Sequence, residues 1–165
     1  MTLLIRCLLL TIAVFAGAEA LSQEPLPDVQ VRSLDGRTVQ LEDFVKDGRI
    51  TILSFWATWC SPCKKELDAI ADVYEDWQSA YDVELIAISV DNARALARVK
   101  PMVAEKGWPY MILADPNQAL MRALHFQSVP HTILLNQERE IIYSHSGYLP
   151  GDEQALEEEI QALVN

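Results

Sequence analysis

Hydrophobic residues recur along this chain with two periods, one typical of strands and the other of helices. Continuous apolar runs at residues 50–56 and 83–90 predict strands that are buried on both faces. Between these runs, apolar residues three and four positions apart predict an amphipathic helix at 62–81. Its apolar positions are Leu67, Ile70, Ala71, Tyr74 and Trp77. The pattern therefore predicts a strand, a helix and a second strand in succession.

The same alternation continues on both sides of this unit. Residues 29–31 and 38–41 flank Asp35-Gly36, a pair that predicts a β-hairpin. Residues 92–106 predict a helix that Pro101 should kink or divide. The remaining predicted elements are a strand at 110–114, a helix at 117–124, strands at 132–135 and 141–144, and a helix at 152–164.

Strands that alternate with helices predict an α/β fold around a parallel sheet, and the last two strands should add an antiparallel edge. A chain of 165 residues is long enough for one domain with a core. Its net charge of −11 should repel phosphate backbones, so we predict no nucleic-acid partner. The acidity otherwise indicates a solvated acidic face or recognition of a basic partner.

The N-terminus has the pattern of an export signal. Arg6 precedes an uncharged apolar stretch at residues 7–17, and Ala18-Glu19-Ala20 fits a cleavage site. We therefore predict a signal peptide at 1–20, cleavage near Ala20, and one domain at 21–165. The stretch is short for a membrane span of about 20 residues, so an uncleaved anchor is the alternative.

Cleavage would remove Cys7 and leave two cysteines, which lie together in Trp59-Cys60-Ser61-Pro62-Cys63. This motif joins the first apolar strand to the first helix. Cys60 is expected at or near the helix N-cap, where free N–H groups stabilise a thiolate, and Cys63 is expected one turn further in and more buried. The pair is predicted to form a Cys60–Cys63 disulfide that opens and closes, with Cys60 as the attacking sulfur. Lys64 and Lys65 are expected to point into solvent.

Three structural interpretations compete with redox chemistry. A zinc site needs about four ligands, and His125, His131 and His145 lack ligand spacing, so no metal site is predicted. Two inert buried thiols would be unusual at a helix N-terminus. A purely structural disulfide is possible, although so small a loop gives little entropic stabilisation. No bound cofactor is predicted.

The sequence resembles the thioredoxin-like superfamily, and within it the exported TlpA/ResA-like thiol–disulfide oxidoreductases. The resemblance covers residues 25–164, and its most specific part is residues 55–66, Phe-Trp-Ala-Thr-Trp-Cys-Ser-Pro-Cys-Lys-Lys-Glu. Val129-Pro130-His131-Thr132 and the late Ser146-Gly147 also match. The resemblance implies a three-layer α/β/α sandwich whose mixed central sheet carries an N-terminal β-hairpin.

The resemblance also implies roles for individual residues. Pro130 would be a cis-proline beside the disulfide, and the backbone of Val129 would pair with a substrate strand. Glu66 would manage protons near the buried thiol; its alternative is an exposed carboxylate that only favours the helix dipole. The predicted substrate-binding surface also includes Trp59, Ser61, Pro62 and His131, while Trp56 is expected in the core.

Two residues depart from the family pattern. Ser54 stands where thioredoxins carry a buried aspartate, so the proton-accepting role is absent or passes to Glu66. His131 stands where threonine is usual. It could change charge near pH 6 to 7 beside the thiols, or it could be a packed strand residue.

These observations predict an exported, periplasmic thiol–disulfide oxidoreductase that reduces disulfides in exported proteins, with apocytochrome c among the implied clients. Its electron donor would be a membrane or periplasmic thiol. The alternatives are a peroxiredoxin-type thiol peroxidase and a non-catalytic module that binds a metal or a client. The residues upstream of Cys60 lack the proline of a peroxidatic site.

Overall fold

One mixed β-sheet organises the protein. The computed structural model describes residues 25–164, and the predicted signal peptide at 1–20 lies outside them. Seven strands form the sheet within the described range. They are β1 (Gln30–Ser33), β2 (Thr38–Gln40), β3 (Ile50–Trp56), β4 (Val83–Ser89), β5 (Met111–Ala114), β6 (His131–Leu135) and β7 (Ile141–Ser146).

Four α-helices cover this sheet within residues 25–164. They are α1 (Ser61–Tyr81), α2 (Val99–Lys106), α3 (Ala119–Ala123) and α4 (Asp152–Val164), with short 3-10 turns at Leu41–Asp43 and Leu96–Arg98. The alternation of strands and helices confirms the predicted α/β class. No helix in this part of the chain is both long and apolar enough to cross a bilayer.

The strand order is β2-β1-β5-β4-β3-β6-β7. The strands β3, β4 and β5 run parallel, as the buried apolar runs predicted. The strand β6 pairs with β3 and β7 pairs with β6, both antiparallel, which confirms the predicted antiparallel edge. At the opposite edge, the N-terminal hairpin joins β5 through antiparallel β1. Strand β3 is therefore central and buried along its whole length.

The two faces of the sheet carry different residues because side chains alternate along a strand. Ser54 of β3 lies opposite Thr132 of β6, and both bond to Glu66 of α1. Helix α4 packs beside α1 on that face. The next pair in the register, Phe55 and His131, faces away from α1, where their rings lie 6.3 Å apart.

The helix predicted at 92–106 is shorter than expected. The side chain of Asn92 accepts hydrogen bonds from the backbone N–H groups of Arg94 and Ala95, so the chain turns there instead of starting a helix. Helix α2 begins only at Val99. Pro101 is then its third residue, where the missing N–H breaks no helical bond, so the proline does not kink the helix.

The short helix predicted at 117–124 is also trimmed. Gln118 has a φ of 54°, in the left-handed region, and α3 starts after it at Ala119. The carboxylate of Asp115 accepts hydrogen bonds from the N–H groups of Ala119 and Leu120, which defines this start. The last two strands are longer than predicted, because His131 pairs with Ser146 beyond the predicted ends.

Candidate active site

The two cysteines lie where β3 gives way to α1. Cys60 is the N-cap of α1, as predicted, and its Sγ accepts a hydrogen bond from the N–H of Cys63 at 3.3 Å. The two residues form a disulfide, with their Cα atoms 5.4 Å apart. Pro62 occupies the first turn, where its missing N–H leaves no donor unsatisfied. The N-cap of α1 and the disulfide are therefore both formed by one four-residue motif.

The residues around the disulfide range from fully buried to largely exposed. Cys63 is fully buried and Cys60 is 4% exposed, so the predicted order holds but the difference is small. Ser61 and Pro62 are exposed. Trp59 is 67% exposed, whereas Trp56 is fully buried against Trp108, as predicted. A large apolar side chain therefore stands in solvent directly before the disulfide.

A buried carboxylate at the end of β4 holds the loop that carries Cys60. Asp91 accepts hydrogen bonds from the N–H and the Oγ1 of Thr58, both at 2.7 Å, and from the hydroxyl of Ser89 at 2.8 Å. The Nζ of Lys64 donates to the carbonyl oxygen of Thr58 at 3.0 Å. The prediction that Lys64 points into solvent is therefore wrong. Asp91 was not predicted from the sequence, although its place just after a parallel strand was a usable signal.

Glu66 is a buried residue of α1. It lies three residues after Cys63, which places both on one helix face, and it is 5% exposed. Its Oε1 accepts a hydrogen bond from the hydroxyl of Thr132 at 2.6 Å, and its Oε2 accepts one from Ser54 at 3.5 Å. Burial raises the pKa of Glu66 to about 7, against the lowering effect of these two hydrogen bonds. The exposed-carboxylate interpretation is wrong.

Ser54 and Thr132 both serve this carboxyl group. Ser54 stands where thioredoxins carry a buried aspartate, and here its hydroxyl reaches Glu66. Thr132 belongs to the Val129–Thr132 motif, but its bond to Glu66 was not predicted from the sequence. No local spacing could have shown this bond, because it depends on the register between β3 and β6.

His131 lies on the other face of the sheet. Its Nδ1 is 2.7 Å from the hydroxyl of Ser146, its Nε2 is 3.2 Å from the hydroxyl of Ser144, and its ring stacks on Phe126 at 4.1 Å. Burial lowers the pKa of His131 to about 4. Of the two alternatives for His131, the charge change near pH 6 to 7 is therefore wrong, and the packed strand residue describes this histidine.

The turn before β6 lies level with the end of β3. The Val129–Pro130 peptide bond is cis, Pro130 is buried and Val129 is half-buried. The carbonyl oxygen of Pro130 accepts a hydrogen bond from the N–H of Gly147 at 2.9 Å. This bond ties the loop between β7 and α4 to the turn.

Comparison with known proteins gives this arrangement a family. The sequence profile of the AhpC/TSA family matches residues 23–144. The chain belongs to the AhpC/TSA family. It is 30% identical to the thiol-disulfide oxidoreductase ResA of Bacillus subtilis over 131 residues, which are 79% of this chain and 70% of ResA. It is also 30% identical to sporulation thiol-disulfide oxidoreductase A of the same organism, over 79% of each chain.

The fold comparison agrees with the sequence comparison. A solved structure of a thioredoxin-like protein from Porphyromonas gingivalis matches with a TM-score of 0.75 and 38% identity, over 84% of this chain and 91% of that one. The predicted thioredoxin-like fold and the resemblance to ResA-like proteins are thereby confirmed. With its Cys60–Cys63 pair at a helix N-terminus, this family member is a thiol–disulfide oxidoreductase.

Proposed function

We propose that this oxidoreductase reduces disulfides in exported proteins, using the Cys60–Cys63 pair as its dithiol. The observation that carries the proposal is a disulfide at the N-terminus of α1, between the exposed Trp59 and the buried carboxyl group of Glu66. The exposed Trp59 can contact a protein client, and the carboxyl group of Glu66 can exchange a proton with the sulfur of Cys63.

In the proposed cycle, the thiolate of Cys60 attacks a client disulfide. One client sulfur joins Cys60 in a mixed disulfide, and the other leaves as a thiolate. Cys63 then loses its proton and attacks the Cys60 sulfur, which releases the second client sulfur and closes the Cys60–Cys63 disulfide. Two electrons pass to the client, and the two cysteine protons end on the two client thiols through solvent.

Glu66 is proposed to accept the proton of Cys63 in the second step and to return one during reduction. Both groups are buried on one face of α1. A carboxyl group with a pKa of about 7 is half-ionised near neutral pH, where it serves both as acid and as base. Ser54 and Thr132 hold its two oxygens and so keep the carboxyl group in place.

The proposed client surface surrounds the disulfide. Trp59, Ser61 and Pro62 form its α1 side, and Val129 and Pro130 form its β6 side, with the Val129 backbone available to an extended client segment. The side chain of His131 is buried against Phe126 and engaged by two serines. We therefore assign His131 to the support of the Pro130 turn and not to direct contact with the client.

Two buried carboxyl groups favour the reductase direction. Asp91 is bonded to Thr58, two residues before Cys60, and Glu66 lies three residues after Cys63. In their ionised forms these carboxylates disfavour a nearby thiolate, although the Lys64 ammonium group offsets part of their charge. Because strong oxidants are oxidising when their reduced form is stabilised, these carboxyl groups favour a more reducing pair.

The export signal predicted at residues 1–20 supports a site of action outside the cytoplasm, in the periplasm. Residues 21–165 would then form the mature domain, and a membrane or periplasmic thiol would supply its electrons. Apocytochrome c, with its paired cysteines, is a client of suitable chemistry. N-terminal sequencing of the protein from fractionated cells tests the export prediction; an intact Met1 in the membrane fraction would favour the uncleaved anchor.

Trapping of mixed disulfides tests the enzymatic proposal. A Cys63→Ser variant should accumulate client proteins on Cys60, because the resolving sulfur is gone, and mass spectrometry would identify them. Cys60→Ser is the matched control and should trap far less. A reduction potential near that of strong oxidants, about −120 mV, would contradict the reductase direction.

The same preparations separate the alternatives. Steady turnover of hydrogen peroxide that is lost in Cys60→Ser would favour the peroxiredoxin-type peroxidase. Stoichiometric copper or zinc binding that survives in Cys60→Ser would favour a binding module. Client trapping through Cys60, without either result, supports the reductase.

A further inference from the structure

A small cleft leads from Glu66 to the surface between β7 and α4. Its polar lining consists of Glu66, Thr132, Tyr143, His145, Asp152 and Glu153, and two apolar side chains complete it. The strand β7 is the edge of the sheet, so the cleft lies at that edge, between β7 and α4. None of the described residues that line it belongs to the 59–63 or 129–131 segments of the proposed client surface.

A histidine and an aspartate stand together in this cleft. The Nε2 of His145 lies 3.4 Å from the Oδ2 of Asp152, and their side chains are 39% and 31% exposed. His145 pairs with Thr132 across β6 and β7, and Thr132 in turn donates to Glu66. The buried carboxyl group and the half-exposed pair therefore occupy the inner and outer parts of one cleft.

The other ionisable groups near Glu66 are held in one charge state. Tyr143 of β7 and Tyr110, which bonds to the backbone of α1, have raised pKa values because they are buried. Burial and a hydrogen bond to Glu153 raise the pKa of Tyr148 to about 12. These three phenols stay neutral at physiological pH.

The carboxylates at the start of α4 have defined partners. Glu153 accepts hydrogen bonds from the hydroxyl of Tyr148 at 3.0 Å and from the N–H of Gly151 at 3.1 Å. Asp152 accepts one from the N–H of Leu149 at 2.6 Å, in addition to its contact with His145. The Asp152 charge acts on Glu66 and disfavours a second negative charge there.

We propose that Asp152 and His145 are positioning residues that set the proton affinity of Glu66, and that Glu66 exchanges protons with solvent through this cleft. The proposal rests on the proposed role of Glu66 in the dithiol cycle. A client bound over Cys60 and Pro130 would cover the disulfide but leave the cleft open. Glu66 could then pass the proton of Cys63 to solvent while the mixed disulfide is resolved.

The charges give opposite signs for the two residues. Removal of the Asp152 carboxylate removes a repulsion, so the pKa of Glu66 should fall toward its ordinary value. Removal of His145 leaves the Asp152 carboxylate without its imidazole partner, so the Asp152 charge acts more fully on Glu66 and the pKa of Glu66 should rise. In a double Asp152→Asn/His145→Gln variant there is no Asp152 charge for an imidazole to offset, so the pKa of Glu66 should follow that of the Asp152→Asn variant.

The test is a carbon-13 NMR titration of Glu66 in the purified oxidised protein labelled at glutamate side chains, with Glu66→Gln used to assign the signal. Asp152→Asn should lower the midpoint by about one pH unit. His145→Gln should raise it by a smaller amount. Glu158→Gln is the matched control, since it removes one exposed carboxylate of α4 that does not line the cleft. It should titrate like the wild type.

A second variant at Asp152 separates the loss of charge from the loss of the Leu149 hydrogen bond. Asp152→Ser keeps an oxygen for the Leu149 N–H but loses the charge, so it should lower the midpoint as Asp152→Asn does. Midpoints of all variants equal to that of Glu158→Gln would overturn the proposal. A shift of the Glu66 midpoint in the Asp152 variants alone would show that His145 is not a positioning residue. The titration needs no client, so its result is independent of whether Cys63→Ser traps one.

Discussion

Two buried ionisable side chains, Glu66 and His131, lie on opposite faces of the sheet at the same level of β3 and β6. Each is largely shielded from water, since only 5–6% of the residue is exposed. Burial moves both toward their neutral forms, but this raises the pKa of the acid to about 7 and lowers that of the base to about 4. Only the acid is brought into the range where a proton can be exchanged near neutral pH.

The comparison shows that the chemistry of a residue type does not by itself predict its role. A histidine beside a redox motif is the usual candidate for a charge change near neutral pH. Here the ring of His131 stacks on Phe126 and its nitrogens face two serines. The carboxyl group of Glu66, on the α1 face, instead lines a cleft that leads to solvent. The environment on each face, and not the intrinsic pKa, is the reason that we propose Glu66 for the proton chemistry.

The largest expected effect is on the pH dependence of stability. The raised pKa of Glu66 contributes stability that is full below pH 4.5 and is lost as pH rises through 7. The lowered pKa of His131 acts oppositely, since the unfolded chain binds its proton below pH 6.5 and the folded one only below about 4. Each contribution amounts to roughly 3 kcal/mol, so in the wild type the two should offset one another.

Chemical denaturation from pH 4 to 8 measures this offset. Relative to the wild type, Glu66→Gln should gain stability as pH rises from 4.5 to 7. His131→Asn should lose stability, relative to the wild type, as pH rises from 4 to 6.5. Parallel stability profiles for the two variants would contradict the comparison.

The next effect is kinetic. In the oxidised protein, Glu66 should protonate the leaving sulfur of Cys63 when a small thiol reduces the disulfide. Glu66→Gln should slow this reduction about 100-fold below pH 7 and remove the inflection near pH 7. Stopped-flow tryptophan fluorescence, with rates expressed per reductant thiolate, measures it.

His131→Asn supplies the contrast for this kinetic experiment. Its rate profile should keep an inflection near pH 7, because the group that titrates there lies on the other face. An inflection that persists in Glu66→Gln and disappears in His131→Asn would reverse the assignment.

Smaller changes, in the pKa of Glu66, should result from the removal of either hydroxyl group that bonds to it. Thr132→Val removes the 2.6 Å hydrogen bond that favours the ionised carboxylate, so the pKa of Glu66 should rise by about one unit. Ser54→Ala removes the 3.5 Å bond and should raise it less. NMR titration of the Glu66 side chain compares them, and a larger shift in Ser54→Ala would show that these distances do not rank the two contacts.

The smallest expected effect is on the His131 face. Ser146→Ala removes the 2.7 Å partner of Nδ1 and should lower the free energy of unfolding by about 1 kcal/mol. Ser144→Ala removes the 3.2 Å partner of Nε2 and should cost less. Neither variant should move the midpoint of Glu66, so thermal denaturation should register both changes while the NMR titration does not.

Local patterns predicted most of the fold and the position of the cysteines. Cys60 at the N-cap and Pro62 in the first turn depend only on neighbouring residues, so the motif itself carries this information. The helix expected from residue 92 failed because the Asn92 side chain competes with the helix for backbone N–H groups. Asp91 was missed because its partner Thr58 is 33 positions away and belongs to another strand's loop.

The amino-acid sequence by itself determined that Cys60 caps a helix after a central strand and that Cys63 lies one turn inside that helix. Helical period and capping chemistry act over a few residues, so these features can be inferred before any fold is known. Only the tertiary structure decided that Glu66 is buried against Thr132, that Asp152 and His145 share its cleft, and that His131 faces away. A pKa depends on every element packed around the group, and strand register, which brings those elements together, is set across the whole chain.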